Sequence, residues 1–510
     1  MEFETFMELM GFVGINPDFI EELLPPKDAP AYITSGDNIL IKNGKIEKLR
    51  GTNYLNDVTT QLGSSGKRYV LGMPIYKKYD GTKYLMAITP SDPYYLLSDT
   101  TWTDLGNITD GVNGSTLSWT NIDNKFVFTL SDSGYVYYWD GATFDTLLTP
   151  ATLKARYLLE YKTRLILLRT IESGTEHYQR MKYSDAGAIT TFDPASYLDL
   201  ESEGVIRGGR QLEDEIIVYL DNSIHRIFWV DATFGFGSSP VSEGLGLLAQ
   251  KTLCGNKDVH FFLAKEGLMK HRRGTTPASI SKGKFDALIL DNIDPVNYTE
   301  AVAYYYPHLS QLFLSYPSSG SSVNDTQLII DTTTEEMISQ KTLTGESYSS
   351  YSEFEKDLSG LSPDDRKNYG LSFVPIMGDK DGYVYEQRIA GYQDLSTSYE
   401  STITFPPTFF RDKKRNKRLT QVDLFIEKLT DQDISFVMYI TNNMNETYSY
   451  NYTLAGTGDE GIWRYEVRDS DGSGIDIFGK EFRIKIKDSG NPYGWKFHGM
   501  LCKGYYSTVK

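Results

Sequence analysis

Between residues 66 and 388 the sequence repeats one local pattern: a short strand rich in aromatic and β-branched residues, a polar turn, and a second short strand. Its cleanest copy is GYVYYWDGATFD, residues 134–145. Strand side chains alternate, so Tyr135, Tyr137 and Trp139 take one face and Val136 and Tyr138 the other. Asp140-Gly141 reads as a tight hairpin turn with the positive φ angles such turns demand. Thr143 and Phe144 then start the return strand.

Units of this kind begin near residues 69, 117, 155, 205, 251, 301 and 369. A unit takes ~40–50 residues and about four short strands, the period of propeller blades. The 37 Tyr, 25 Phe and 44 Gly fit pleated, half-buried surfaces joined by many turns. The sequence therefore predicts an all-β chain built as an irregular β-propeller of about six or seven blades. A pair of stacked β-sandwiches would give similar strand spacing.

Three divisions follow. Residues 1–35 read as an extended N-terminal leader, because Pro25, Pro26 and Pro30 forbid a continued helix. Within it, Phe3, Phe6, Met7 and Met10 match the spacing of a short amphipathic helix. Residues 36–401 read as the propeller, opening on a hairpin around Asn43-Gly44 with Ile39 and Ile41 on one face, and carrying a Ser/Glu/Asp-rich loop or helical insert near 341–367. Residues 402–510 read as an antiparallel β-sandwich. In its EFRIKIK segment, Phe482, Ile484 and Ile486 face the core while Arg483, Lys485 and Lys487 face water.

Net charge is −17, from 51 basic and 68 acidic residues. That balance suits a solvated surface and opposes stable nucleic-acid binding. Cys254 and Cys502 stand far apart and suggest no disulfide framework. The first residues carry Glu2, Glu4 and Glu8 where a signal peptide would carry Lys or Arg. No apolar run reaches the length of a membrane span.

The sequence offers few residues for chemistry. Its histidines, His177, His225, His260, His271, His308 and His498, form no metal-binding motif and read as surface or satisfied core groups. Neither a nucleophile elbow nor a phosphate-cradling loop occurs. No catalytic residue and no cofactor is expected, and the chain is not expected to be an enzyme. SDSGYVYYW, residues 131–139, has a passing likeness to the aspartate-box turn of sialidases, with Asp132 one place early, so a propeller glycosidase is one alternative. Asp469, Asp471 and Asp476 in a glycine-containing loop are a weak Ca²⁺ candidate. The run RDKKRNKR, with Arg411, Lys413, Lys414, Arg415, Lys417 and Arg418, is a connector or a docking patch for an acidic subunit or passing nucleic acid.

Three stretches resemble the tail nozzle and DNA-stabilisation tail proteins of short-tailed bacteriophages. The first runs from Gly14 to Gly51, with a proline-rich leader and then Asn38, Gly44, Arg50 and Gly51 at the places of the family's Asn, turn Gly, basic residue and final Gly. The second joins KYSDAGAITTFDPASYLDL to GGRQLEDEIIVYLDNSIHRIF, and the third is DGYVYEQ. The resemblance implies a structural virion protein, made in the host cytoplasm and assembled as a homo-oligomeric ring, a hexamer, below portal and adaptor. Genomic DNA would pass it in transit, and the leader would reach a neighbouring subunit or the adaptor. A tail protein binding host glycans through exposed Tyr and Trp is the other reading.

Overall fold

The computed structural model describes residues 4–17, 31–97, 101–231, 233–355, 373–387, 391–408, 414–455, 462–468 and 472–506. Seven antiparallel sheets of four principal strands follow one another along the chain, and their first strands line a common channel. These innermost strands are Ile75–Lys77, Leu117–Ile122, Leu153–Tyr161, Ile206–Leu212, Cys254–Gly255, Val302–Tyr306 and Tyr348–Glu355 for blades 1 to 7. The fold is a seven-bladed propeller.

Each blade presses on two neighbours, so its second strand is buried on both faces and reads as a continuous apolar run. Lys125–Leu130, Glu215–Leu220 and His260–Ala264 are such strands. Blade 2 shows the packing directly. Trp139 meets the blade 1 rings of Tyr95 at 4.8 Å, Tyr84 at 4.9 Å and Tyr76 at 5.5 Å. Val136, on the opposite face, joins the cluster of Leu158, Leu165 and Leu167 from blade 3. The turn after Trp139 differs from the expected two-residue hairpin. Only Gly141 has a positive φ, of 97°. Trp139 pairs with Phe144, and the Asp140 carboxylate accepts hydrogen bonds from the backbone N–H of Ala142 and Thr143. An Asx turn thus supplies what positive φ at Asp140 was expected to supply.

Blade 7 closes the ring with strands from distant parts of the sequence. Tyr348–Glu355, Phe373–Asp379 and Val384–Gln387 are joined at the outer edge by Thr52–Tyr54, with Tyr385 opposite Tyr54 and Gln387 opposite Thr52. The Thr52 hydroxyl lies 2.6 Å from Glu346 Oε1 and 3.0 Å from Asp394 Oδ1, and Lys341 sits 2.9 Å from the same Asp394 carboxyl. Thr52→Val is expected to cost about 1.5–3 kcal/mol, the worth of a hydrogen bond to a charged group. Denaturant titration would read this as a lower midpoint with an unchanged slope. A midpoint equal to wild type would detach ring closure from this contact.

The region expected as an insert near 341–367 is in part the innermost strand of blade 7. Its YSSYSEFE reads as a loop because it is rich in serine. Where neighbouring blades approach closely, however, the strands favour small side chains. Ser349 and Ser350 are buried there, and a Cβ on Gly72 or Gly209 would meet a leucine at 2.5 Å. Residues 356–367 of that region lie outside the described residues.

The sandwich takes strands from both ends of the sequence. One sheet orders Ile462–Glu466, Lys417–Lys428, Trp495–Tyr506, Lys45–Lys48 and Ile39–Lys42. The other orders Ser35–Asp37, Thr402–Thr404, Phe482–Asp488, Ile434–Asn442 and Thr447–Leu454. The Asn43-Gly44 hairpin, expected inside 36–401, therefore belongs to the sandwich through Phe497 opposite Ile46. The expected start of the propeller at residue 36 is corrected accordingly. The expected helix near residue 6 is instead a strand, Glu4–Met10, laid along Trp495–Tyr506 where Gly499 leaves room for the Leu9 backbone. Strand pairing overrides the local helical spacing.

The leader is not free in its described parts. Phe12–Ile15 pairs with Ala31–Ile33, and Phe12, Ile15 and Ile33 are fully buried against blade 6 and the sandwich. Pro25, Pro26 and Pro30 lie outside the described residues. One core cluster runs without a break from Phe261, Leu314 and Tyr348 of the propeller to Phe436 and Ile484 of the sandwich.

Candidate functional site

The inner strands of the seven blades enclose two chambers of about 400 and 410 Å³. Leu117, Trp119, Arg210, Gln250, Leu253 and Asn256 line both, so the chambers are halves of one channel meeting at a waist. Their size falls in the range of small-molecule sites.

Arg210 reaches the waist because it follows Gly208-Gly209 on the inner strand of blade 4 and alternation turns it toward the axis. Its guanidinium donates to the Gly255 carbonyl at 2.8 Å, and among the described residues no carboxylate lies within ion-pair distance. Trp119, on the inner strand of blade 2, keeps 41 % of its surface exposed. From blade 7, Glu353 and Ser350 line one chamber, and their Oε2 and Oγ atoms are sealed from solvent with no hydrogen-bond partner among the described residues. Burial pushes the Glu353 carboxyl above the usual carboxylate range, against the pull of His308 at 3.8 Å. Cys254 also lines the channel, but burial pushes its thiol up to about 12, which leaves it inert as a nucleophile. Both cysteines are buried.

The chemistry available is binding: an aromatic platform, two cations, Arg210 and Lys257, without an ion pair among the described residues, and polar oxygens across the channel. Sequence reasoning missed these residues. The usable signal was positional, since the first strand of every repeat lines the channel, and Trp119, Arg210 and Glu353 each sit on such a strand.

The basic run loses Lys417 to the interior. Arg411 and Lys413 lie outside the described residues. The chain then enters the strand Lys417–Lys428, and alternation separates its charges. Lys417 is fully buried and donates to the carbonyls of Arg415 and Lys480. Arg418 faces out and pairs with Asp476. Arg415 lies 3.9 Å over the Tyr506 ring, and Lys414 is exposed. The same Arg418 contact holds the Asp476 carboxyl below its ordinary range and takes it from the Ca²⁺ candidate, whose Asp469 and Asp471 lie outside the described residues. Among the described residues no group of three metal-ligating side chains occurs. Asp132 of the aspartate-box likeness accepts from the hydroxyls of Ser115 and Ser131.

Two histidines do come together. His260 and His271 stand opposite each other on neighbouring strands of blade 5, and the Tyr219 hydroxyl of blade 4 lies 3.0 Å from Nδ1 of each. Both are satisfied core groups. Burial pushes His260 down to about 3 and His271 to about 4, so both are neutral near pH 7.

No family model matches the chain, and no curated protein matches it. Among solved structures it is similar to the Pan2 WD40 domain of Neurospora crassa, with 10 % identity and a TM-score of 0.36 over 64 % of this chain and 98 % of that one. It is similar to Raptor of Chaetomium thermophilum, with 9 % identity and a TM-score of 0.41 over 66 % of this chain and 30 % of that one. It is also similar to an exo-β-1,3-galactanase of Phanerochaete chrysosporium solved with galactose, with 9 % identity and a TM-score of 0.27 over 78 % of this chain and 96 % of that one.

Proposed function

We propose that the chain is a structural subunit of a short-tailed phage virion. Copies close into a ring, a hexamer on the family resemblance, that extends the DNA exit channel below portal and adaptor and helps retain and deliver the genome. In this reading it performs no catalysis. The observation that supports it most is the single core shared by propeller and sandwich. Two domains locked without a flexible joint make a rigid building block, which a closed ring with a fixed rotation per subunit requires.

DNA would run along the ring axis between subunits. A surface with net charge −17 would hold a polyanion weakly and let it slide. A ring interface also needs apolar anchors. The outer hairpin of blade 4, Ser223–Asp231 and Gly235–Glu243, has strands of nine residues each and leaves Val230 and Phe234 exposed at its tip, Phe234 by 76 %.

Negative-stain microscopy and mass photometry, with and without portal and adaptor, test this. The expected result is a ring with wild type and none with Phe234→Asp, at unchanged melting temperature. Absence of a ring under both conditions would refute the proposal. A ring unaffected by Phe234→Asp would move the interface elsewhere.

A further inference from the structure

We propose that the waist of the propeller channel is a binding site for an acidic sugar, a pyranose ring bearing one carboxylate. The site has three parts that the fold itself leaves unused. Trp119 presents an exposed indole face inside a cavity, where burial of an aromatic surface would ordinarily be expected. Such a face stacks on the C–H groups of a sugar ring and contributes apolar contact with little loss of side-chain freedom.

Arg210 lies at the same waist. It makes one hydrogen bond, to a backbone carbonyl, and has no carboxylate neighbour at ion-pair distance among the described residues. A guanidinium offers five donors in a planar fork that matches a carboxylate. In a chain with 68 acidic residues, an arginine kept clear of acidic partners is a group awaiting an anion. Across the channel, Glu353 keeps 18 % of its side chain exposed, beside His308, and lines the chamber with a carboxylate. Sugar hydroxyls donate, so one can serve the exposed edge of the Glu353 carboxylate.

The arrangement selects among anions. The planar Arg210 fork matches a carboxylate, and Glu353 in one of the two chambers disfavours a phosphate dianion. A mononucleotide, which could also stack on Trp119, carries that dianion and is the excluded competitor. Each chamber, at about 400 or 410 Å³, has room for one or two sugar rings. The site is independent of ring assembly, because all its residues lie within one propeller.

The test uses the full-length chain and glucuronic acid as probe, read by saturation-transfer NMR and by quenching of tryptophan fluorescence. Glucose and a deoxynucleoside monophosphate are the comparisons, and a glucuronate-terminated disaccharide separates free sugar from the end of a glycan. Glucuronate is expected to bind, with glucose at least about tenfold weaker and Arg210→Ala weakening glucuronate by about tenfold or more. Trp119→Phe should keep binding, and Trp119→Ala should lose it. Arg210 and Trp119 are solvent-facing, so unchanged melting curves would show these variants folded. No glucuronate binding, equal binding of glucose, preference for the nucleotide, or indifference to Arg210→Ala would each overturn the inference. Because ring assembly is measured separately, a negative result here leaves the structural-subunit reading standing.

Discussion

Replacing Lys48 with methionine is expected to lower the stability of the folded chain by about 3–5 kcal/mol, the cost of leaving a buried charge without its partner. The Lys48 and Asp488 side chains are both fully buried and stand 2.8 Å apart. The ammonium also donates to the carbonyls of Asn491 at 2.7 Å and Tyr399 at 2.9 Å. Asp488 in turn accepts from Trp495 Nε1 and from the backbone N–H of Ser401 and Gly490. One pair therefore ties four stretches together: the N-terminal hairpin, the crossing at residues 399–401, the strand Phe482–Asp488 and the loop to Trp495.

Burial pulls the Lys48 ammonium below its ordinary range, and Asp488 pulls the other way. Desolvation thus weighs heavily at this site, so the pair contributes through the cost of breaking it. Denaturant titration of Lys48→Met, Asp488→Asn and the double variant would measure this. The double variant should cost less than the sum of the singles, with a coupling of about 1–3 kcal/mol. Additive losses would mean that the two groups act separately.

The same contact shows where sequence reading stops. The repeat of short strands was legible because the second strand of a blade is apolar along its whole length, as EIIVYL is, and because turns such as Asp140-Gly141 are local. Lys48 and Asp488 carry no local signal. Each looks like a solvated charge at a strand end, and only the joining of the two chain ends in one sandwich buries them. The closing strand Thr52–Tyr54 was hidden for the same reason, since its partner lies more than 300 residues away in sequence. The inner strand Tyr348–Glu355 was hidden differently, because the close approach of Val70 from blade 1 sets serine where β-branched residues are usual. The loss of Lys417 from the basic run showed only in the register of Lys417–Lys428, which turns it to the interior. At the channel, strand position alone carried the information, and it became readable only once the first strand of each unit was known to be innermost.

Acidification from pH 6.5 to pH 4 is expected to remove on the order of 5 kcal/mol of stability through two buried histidines. His260 Nε2 lies 3.1 Å from the Gln211 carbonyl, so it carries the proton and donates, leaving Nδ1 to accept from the Tyr219 hydroxyl. The Tyr219 oxygen then accepts from His271 Nδ1–H. This chain needs both rings neutral, and burial holds them so, with titration at about 3 for His260 and about 4 for His271. Unfolded histidine titrates near 6.5. Below that pH the unfolded chain takes up protons that the folded chain does not, so stability is full above about 6.5 and falls with pH at up to about 1.4 kcal/mol per unit for each ring.

Asp379 works in the other direction. Burial pushes its carboxyl up to about 6, so it favours the fold as pH drops from 6 toward the ordinary carboxylate value. That offset is common to wild type and variant, which makes the difference between them the clean measurement. His271→Asn keeps a side-chain N–H for Tyr219 and removes one titration. Between pH 6.5 and 4 the variant should lose about 3 kcal/mol less than wild type, read from urea midpoints at fixed salt. If the two profiles run parallel, His271 is not held neutral by the fold, and the seam between blades 4 and 5 owes nothing to its tautomer.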